Sequence, residues 1–134
     1  MAQSKGTALA CNLADWDLAP EQFQVARDGE SIDLGALQLH PFTVPHDARE
    51  PAQFVFSDGD KSLGVLTDTG VSTAHIETVL SAVDALVLEC NHDLDLLMNS
   101  AYPFSLKQRI AGRLGHLDNN TASNLLGALI KTPK

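Results

Sequence analysis

Short apolar runs that stop at a polar, turn-forming segment recur along this chain from residue 46 onward, and they constrain its fold more than any other feature. The segments read VPHDAREP, LTDTG, ECNHD and GHLDNN, and they carry His46, Asp68, His92 and His116. Side chains at the carboxyl ends of strands face the crevice in which α/β sheets bind ligands. Imidazole and carboxylate groups in such a crevice are ligands for zinc, manganese or iron. The pattern therefore indicates a dinuclear metal site.

The closely spaced histidines that usually anchor such a site are missing from this sequence. Neither a His-x-His pair nor a His-x-x-x-His pair occurs among its five histidines. The sequence therefore predicts part of a metal enzyme rather than a whole one.

Each candidate ligand also has an ordinary structural explanation. Asp68 can bond the backbone of its own turn, and a single His is more often packed or solvated than a ligand. The separations of 22, 24 and 24 residues between successive candidates do not by themselves bring the side chains together. In an unrelated α/β domain, His46, Asp68 and His116 would lie more than roughly 8 Å from a common centre, too far for metal bonds of about 2 Å.

The composition is that of a globular protein, and the length suits one domain. Of the 134 residues, 44% are hydrophobic, which is enough for a core. No repeat or linker interrupts them, so we expect residues 1–134 to form a single unit. Cys11 and Cys90 lie far apart with no secretory signal before them, which favours reduced thiols and a cytoplasmic protein. No apolar run approaches the ~18 residues of a membrane span.

The net charge of −8 opposes nucleic-acid binding, because a field of that sign repels phosphates at long range. A phosphate-bearing substrate would therefore need a local basic patch. Lys107, Arg109 and Arg113, which precede His116, are the candidates for that patch. A solvated helix face is the ordinary alternative for each of them.

Periodicity and turn residues predict the order of the elements. Strands are expected at 22–26, 31–44 with a break near Gly35, 53–56, 62–67 and 85–90. Helices are expected at 7–14, at 75–83 after a cap at Ser72 or Thr73, and at about 93–99, 104–112 and 119–131. The continuous apolar run at 85–90 predicts a strand buried on both faces. We therefore predict an α/β (α+β) fold with a mixed β-sheet.

Taken in order, the segments around His46, Thr67-Asp68-Thr69-Gly70, Glu89-Cys90-Asn91-His92-Asp93 and Gly115-His116 carry a family resemblance. They resemble the C-terminal half of the metallo-β-lactamase-fold hydrolases, and within that family the YycJ-like branch of phosphodiesterases and exonucleases. The resemblance extends from about residue 6 to the last helix. It implies half of an αββα sandwich with helices packed on one face of the sheet. The family's His-x-His-x-Asp-His motif belongs to its N-terminal half and is absent from this chain.

The resemblance also implies a role for each candidate residue. His46 and His116 would each complete one metal site, and Asp68 would bridge the two ions. His92 would protonate a leaving oxygen or contact the substrate. The complete enzyme would hold two divalent ions, zinc or manganese, and this chain alone a partial site or none. The positions expected to orient the imidazoles are Asp47, Asn91 and Asn119.

We therefore expect a metal-dependent hydrolase that cleaves phosphodiesters when its domain is complete, and little activity from this chain alone. Its substrate would be nucleic acid or a small phosphodiester. The sheet of a half-domain would also leave an apolar face uncovered, and monomers tolerate only a few hundred Å² of such surface. We expect the missing half or a second copy of the chain to cover it. The alternative is a non-catalytic half-domain that acts as a binding or assembly partner.

Overall fold

The structure, a computed structural model, describes residues 25–131 of the chain. The bounds of its elements are β1 (Ile32–Asp33), β2 (Gln38–Thr43), β3 (Ala52–Ser57), β4 (Ser62–Leu66), α1 (Ala74–Leu80), β5 (Ala85–Leu88), α2 (Leu94–Asn99), α3 (Phe104–Ile110) and α4 (Asn119–Lys131). The helix predicted at 7–14 and most of the strand predicted at 22–26 lie outside the described residues. Val25 and Ala26, the described end of that predicted strand, are not in a strand.

The strands form one mixed sheet in the order β1-β2-β3-β4-β5. Neighbours from β1 to β4 are antiparallel, and β5 lies parallel to β4 after a crossover through α1. The predicted fold class is therefore confirmed. Because β2, β4 and β5 run in the same direction, the loops that follow them all emerge at one edge of the sheet. That edge is where the candidate site lies.

Gly35 and Gly59, both with positive φ, lie in turns between strands of the sheet. Gly35 has φ of +83° and separates β1 from β2, where the carboxylate of Asp33 accepts its N–H. Gly59 has φ of +92° in the turn between β3 and β4. L-residues with a Cβ rarely adopt these angles, so glycine is the suitable residue at both turns.

Short capped helices follow the strands. Thr73 caps α1, as predicted, because its hydroxyl accepts the N–H of Ile76 at 3.2 Å. Asp93 caps α2 by accepting the N–H of Leu96 at 2.9 Å. No helix between residues 25 and 131 has the length and apolar character needed to cross a membrane.

The core lies between one face of the sheet and the helices α1 and α4. We call this side of the sheet the covered face. Phe42 and Leu66 are at most 1% exposed, and Ile76 of α1 and Leu125 of α4 pack with them. Residues of β5 join the same cluster through Leu86 and Leu88. The covered face therefore supplies the main core of the described chain.

The opposite side of the sheet, the open face, is also apolar. Its side chains alternate with those of the covered face, and the strand register sets them side by side. The apolar residues of the open face include Leu39, Phe54, Phe56, Leu63, Val65 and Val87, and the register adds Ile32 and Pro41. Ile32 and Pro41 are buried, whereas the other six are half-buried or exposed, and Val87 is 48% exposed.

The prediction that the strand at 85–90 is buried on both faces is wrong. The strand is shorter, ending at Leu88, and its residues alternate between exposed and half-buried. The reason is that no layer formed by residues 25–131 covers the open face. The continuous apolar run at 85–88 shows that both faces of the strand are apolar. It does not show whether another layer of the protein packs against each face.

Candidate metal centre

Three of the predicted ligands meet at the edge of the sheet. His46 follows β2, Asp68 follows β4, and His116 precedes α4. One candidate ligand atom from each residue lies within 4.8 Å of the other two. Separations in the sequence could not show this, because the loops converge only through the strand order described above.

The ring of His46 is held by the backbone of a neighbouring loop. Its Nδ1 donates to the carbonyl oxygen of Gly115 at 2.9 Å. A carbonyl only accepts, so Nδ1 carries a proton, and in a neutral ring Nε2 keeps its lone pair. That Nε2 lies 4.0 Å from Oδ1 of Asp68 and 3.4 Å from Oδ1 of Asp47. His46 therefore directs Nε2 toward the carboxylates.

The ring of His116 is held by a buried carboxylate. Nδ1 of His116 lies 2.6 Å from Oε1 of Glu89, whose side chain is only 6% exposed. The other oxygen, Oε2, accepts the backbone N–H groups of Thr69 at 3.1 Å and Leu117 at 3.2 Å. Glu89 thus joins the loop of Asp68 to the loop of His116. Glu89 is not among the site residues predicted from the sequence, although a charged residue directly after the apolar run ALVL is a visible signal.

The two imidazoles stand edge to face beside a half-exposed carboxylate. Their ring centroids are 5.1 Å apart with an interplanar angle of 63°. The side chain of Asp68 is 49% exposed, whereas that of His46 is 15% exposed. The site therefore opens to solvent on the side of Asp68 and is enclosed on the side of the histidines.

Two glycines allow the loops to approach this closely. The N–H of Gly70 donates to the carbonyl of Pro45 at 2.8 Å, and a Cβ at Gly70 would lie 2.4 Å from the backbone of Arg113. A Cβ at Gly115 would lie 2.2 Å from the carbonyl oxygen of Ile110. Because these contacts involve backbone atoms, a side chain at either position would force the loops apart.

His92 lies outside the group of three. Its Nδ1 is 3.3 Å from the side-chain oxygen of Asn91, and its Nε2 is buried without a hydrogen-bond partner among the described residues. The backbone around it pairs with the loop of His116: Asn91 donates its N–H to Leu117, and Asn119 donates its N–H to the carbonyl of His92. Asn91 thus contacts the imidazole next to it, while Asn119 contributes a backbone bond.

The carboxylate of Asp118 sits next to this backbone bridge and starts α4. The hydroxyl of Thr121, hydrogen-bonded to it, lowers the pKa of Asp118, and the nearby His92 ring acts in the same direction. Asp118 therefore caps α4, with backbone N–H groups of Asn120 and Thr121 also bonded to it.

Two of the three predicted phosphate-binding cations are engaged elsewhere. The ammonium of Lys107 donates to the backbone carbonyls of Met98 and Ser100, each at 2.7 Å. The guanidinium of Arg109 is paired with Asp47. Arg113 is exposed, and the described part of the chain offers it no ion pair. Of the predicted basic patch, Arg113 is thus the cation whose side chain has neither an ion pair nor a hydrogen bond within residues 25–131.

The pair between Arg109 and Asp47 links α3 to the loop of His46. The hydrogen bond from Arg109 lowers the pKa of Asp47, and Asp47 in turn raises the pKa of Arg109. Because Asp47 also lies near Nε2 of His46, Arg109 fixes one of the two carboxylates that face that nitrogen.

Comparison with known proteins identifies the family. No family model matches the chain. The chain is 33% identical over 102 residues to the exodeoxyribonuclease YycJ of Bacillus anthracis, and 36% identical over 104 residues to the exodeoxyribonuclease WalJ of Streptococcus pneumoniae. The chain belongs to the YycJ-like branch of the metallo-β-lactamase-fold proteins. These matches cover 76% and 78% of this chain but only 39% and 38% of the relatives.

Solved structures show the same fold. Zn²⁺-bound PqqB from Methylobacterium extorquens matches with a TM-score of 0.54 and 18% identity, over 82% of this chain and 37% of that one. A variant of the β-hydroxylase CmlA matches with a TM-score of 0.53 and 16% identity, over 80% of this chain and 24% of the other. The YycJ-like chain described here therefore carries a metallo-β-lactamase-type fold, and its matches span less than two fifths of its relatives.

Proposed function

We propose that this chain supplies His46, Asp68 and His116 to the dinuclear metal site of a hydrolase that cleaves phosphodiesters in nucleic acid. The observation that carries the proposal is the convergence of one candidate ligand atom from each residue within 4.8 Å. The names of the relatives, which are exodeoxyribonucleases, support the substrate class. The Zn²⁺ bound by PqqB supports the use of a divalent ion.

The donor set fits two divalent ions, zinc or manganese. His46 would offer Nε2 to the metal, and Asp68 would offer its carboxylate oxygens. Divalent ions held there would activate water at neutral pH and stabilise the charge that develops on the reacting oxygens. His92 is proposed to meet the substrate side, since its buried Nε2 has no partner in the described part of the protein.

Three ligands are too few for two ions, so the proposal requires further ligands. We propose that they come with a second sheet that covers the open face, carried by the complementary half-domain or by a second copy of this chain. A cleft of about 640 Å³ at the end of the open face, lined by Leu37, Phe56, Leu63 and Ala85 among others, supports an apolar partner. Cys90, which has no disulfide partner within residues 25–131, fits a cytoplasmic location for such an assembly.

Metal binding by the purified chain tests the proposal. We would titrate Zn²⁺ and Mn²⁺ and measure metal content for the wild type, for Asp68→Ala and for Asp60→Ala. Asp60 is an exposed carboxylate in the β3–β4 turn and serves as the matched control. Binding lost with Asp68→Ala and kept with Asp60→Ala supports the site. Binding that neither substitution changes contradicts it.

A non-catalytic half-domain is the second candidate. It is favoured by the three-residue ligand set and by the pairing of Lys107 and Arg109 within the protein. Turnover of a generic phosphodiester and of single-stranded DNA in the presence of Mn²⁺ separates the two. No turnover, together with Zn²⁺ binding unaffected by Asp68→Ala, would establish the non-catalytic role.

A further inference from the structure

We propose that Glu89 is a positioning residue that fixes the tautomer of His116, with the proton on Nδ1 and the lone pair on Nε2. The metal-binding consequence of this inference rests on the proposed function, whereas the tautomer itself does not. Nothing in the relatives' names or in the predicted ligand set assigns a role to Glu89. Its contacts within the protein carry the inference.

Glu89 is a buried carboxylate with both oxygens engaged. Oε1 meets Nδ1 of His116 at 2.6 Å, and Oε2 accepts the N–H groups of Thr69 and Leu117. Its own N–H donates to the carbonyl of Leu66 at 2.7 Å, which fixes the backbone beside β4. Burying a charge is costly unless hydrogen bonds compensate. The three donors provide that compensation and leave the carboxylate little freedom to turn.

The two backbone bonds decide the position of the proton on His116. Backbone N–H groups can only donate, so Oε2 must accept. In an ionised carboxylate Oε1 is an acceptor as well, and Nδ1 of His116 must therefore donate to it. A neutral imidazole has a single N–H, which leaves Nε2 with its lone pair. Oδ1 of Asp68, at 3.7 Å from Nδ1, is too distant to compete for the proton.

Glu89→Gln reverses this arrangement with almost no change in shape. The amide oxygen of the glutamine stays on the N–H groups of Thr69 and Leu117, because an NH₂ group there would face two donors. The NH₂ group then faces Nδ1 of His116, which must accept. The proton of His116 moves to Nε2 and blocks that nitrogen as a ligand. Because Glu and Gln differ by one oxygen and one nitrogen, Glu89→Gln changes the position of the proton on His116 while the packing of the side chain stays the same.

His46 is an internal reference for the same measurement. Its Nδ1 donates to the backbone carbonyl of Gly115, and a side-chain substitution at Glu89 leaves that acceptor in place. Glu77→Gln, on the exposed surface of α1, is the matched control variant. The side chain of Glu77 accepts from the hydroxyl of Ser72, away from the three candidate ligands, so the control makes the same chemical change elsewhere.

The experiment measures long-range ¹H–¹⁵N correlations of the histidine rings in the metal-free full chain at about pH 8. The ¹⁵N shifts of the two ring nitrogens show directly whether each imidazole is neutral and which nitrogen carries the proton. We expect Nδ1–H for His46 and His116 in the wild type and in Glu77→Gln, and Nε2–H for His116 alone in Glu89→Gln. Titration with Zn²⁺ should show affinity about 10- to 100-fold weaker for Glu89→Gln, the usual loss when the partner of a ligating His is changed.

The outcomes separate this inference from the proposed function. An Nε2–H tautomer of His116 in the wild type overturns the inference, even if Glu89→Gln does not fold. An unchanged tautomer in a folded Glu89→Gln chain also overturns it. A tautomer that switches in a chain without measurable Zn²⁺ binding supports the role of Glu89 and counts against the metal site. A switch that leaves Zn²⁺ affinity unchanged overturns Nε2 as the ligand atom.

Discussion

The two faces of the sheet have similar chemistry and opposite surroundings. On the covered face, Phe42 and Leu66 are at most 1% exposed beneath α1 and α4. On the open face, Leu63 and Val87, in β4 and β5, are 37% and 48% exposed. An apolar sheet face normally packs against another layer at about 10 Å. An apolar strand sequence therefore indicates that both faces of the sheet need a packing partner. It does not identify the polypeptide that provides that partner.

The largest effect is expected for alanine substitutions in β4, where the loss of stability should differ strongly between the two faces of the sheet. Leu66→Ala empties a fully buried position, and we expect the free energy of unfolding to fall by about 2–5 kcal/mol. Leu63→Ala on the open face should cost well under half as much, because its side chain already meets solvent. Urea unfolding at low protein concentration measures both. Equal losses would show that the open face is covered after all.

Charged substitutions on the open face test whether a partner packs against it. Leu63→Lys with Val87→Lys should weaken self-association or binding of a complementary half at least about tenfold. Each apolar side chain withdrawn from contact forfeits roughly 1.5–3 kcal/mol, and about 1.4 kcal/mol is a tenfold change. Ser123→Lys with Asn124→Lys, exposed on α4, is the charge-matched control. Sedimentation over a range of concentrations is the measurement. A wild-type chain that stays monomeric and binds no complementary half would contradict the proposal that a partner covers the open face.

The helix over the covered face depends on its cap. Thr73→Ala removes the acceptor for the N–H of Ile76, and we expect a loss of about 1 kcal/mol in the free energy of unfolding. Thr73→Ser keeps the oxygen and should restore most of that loss. Chemical unfolding of both variants measures the effect. A Thr73→Ala chain as stable as the wild type would mean that α1 adds little to the covered face.

The smallest effect belongs to Asp58, in the turn that joins β3 to β4. The N–H groups of Lys61 and Asp60 hydrogen-bond its carboxylate and lower its pKa below the ordinary 3.8. A depressed pKa contributes stability above pH 3.8 that disappears as the pH falls through the folded-state value. Asp58→Asn should therefore melt slightly below the wild type at about pH 7 and together with it at about pH 2. A difference that persists in acid would contradict this origin.

Local signals in the sequence predicted the described elements well. The break near Gly35, the cap at Thr73 and the helices after residue 93 are confirmed, because each depends on nearby residues. The length of α3 is shorter than predicted, ending at Ile110 rather than 112.

The parts that could not be predicted depend on contacts between distant segments. His46, Asp68 and His116 meet because three loops leave the same edge, and Glu89 acts on a residue 27 positions away. Arg109 pairs with Asp47 across 62 residues, which no charge pattern along a helix reveals. Periodicity likewise could not show that the side chain of Val87 is 48% exposed.

The candidate site is framed largely by main-chain atoms. The carbonyl of Gly115 holds the ring of His46, the N–H of Gly70 holds the carbonyl of Pro45, and the N–H of His116 holds the carbonyl of Ile110. Main-chain groups are the same whatever side chains surround them. Substitutions of exposed side chains around the site can therefore leave the frame that holds the candidate ligands in place.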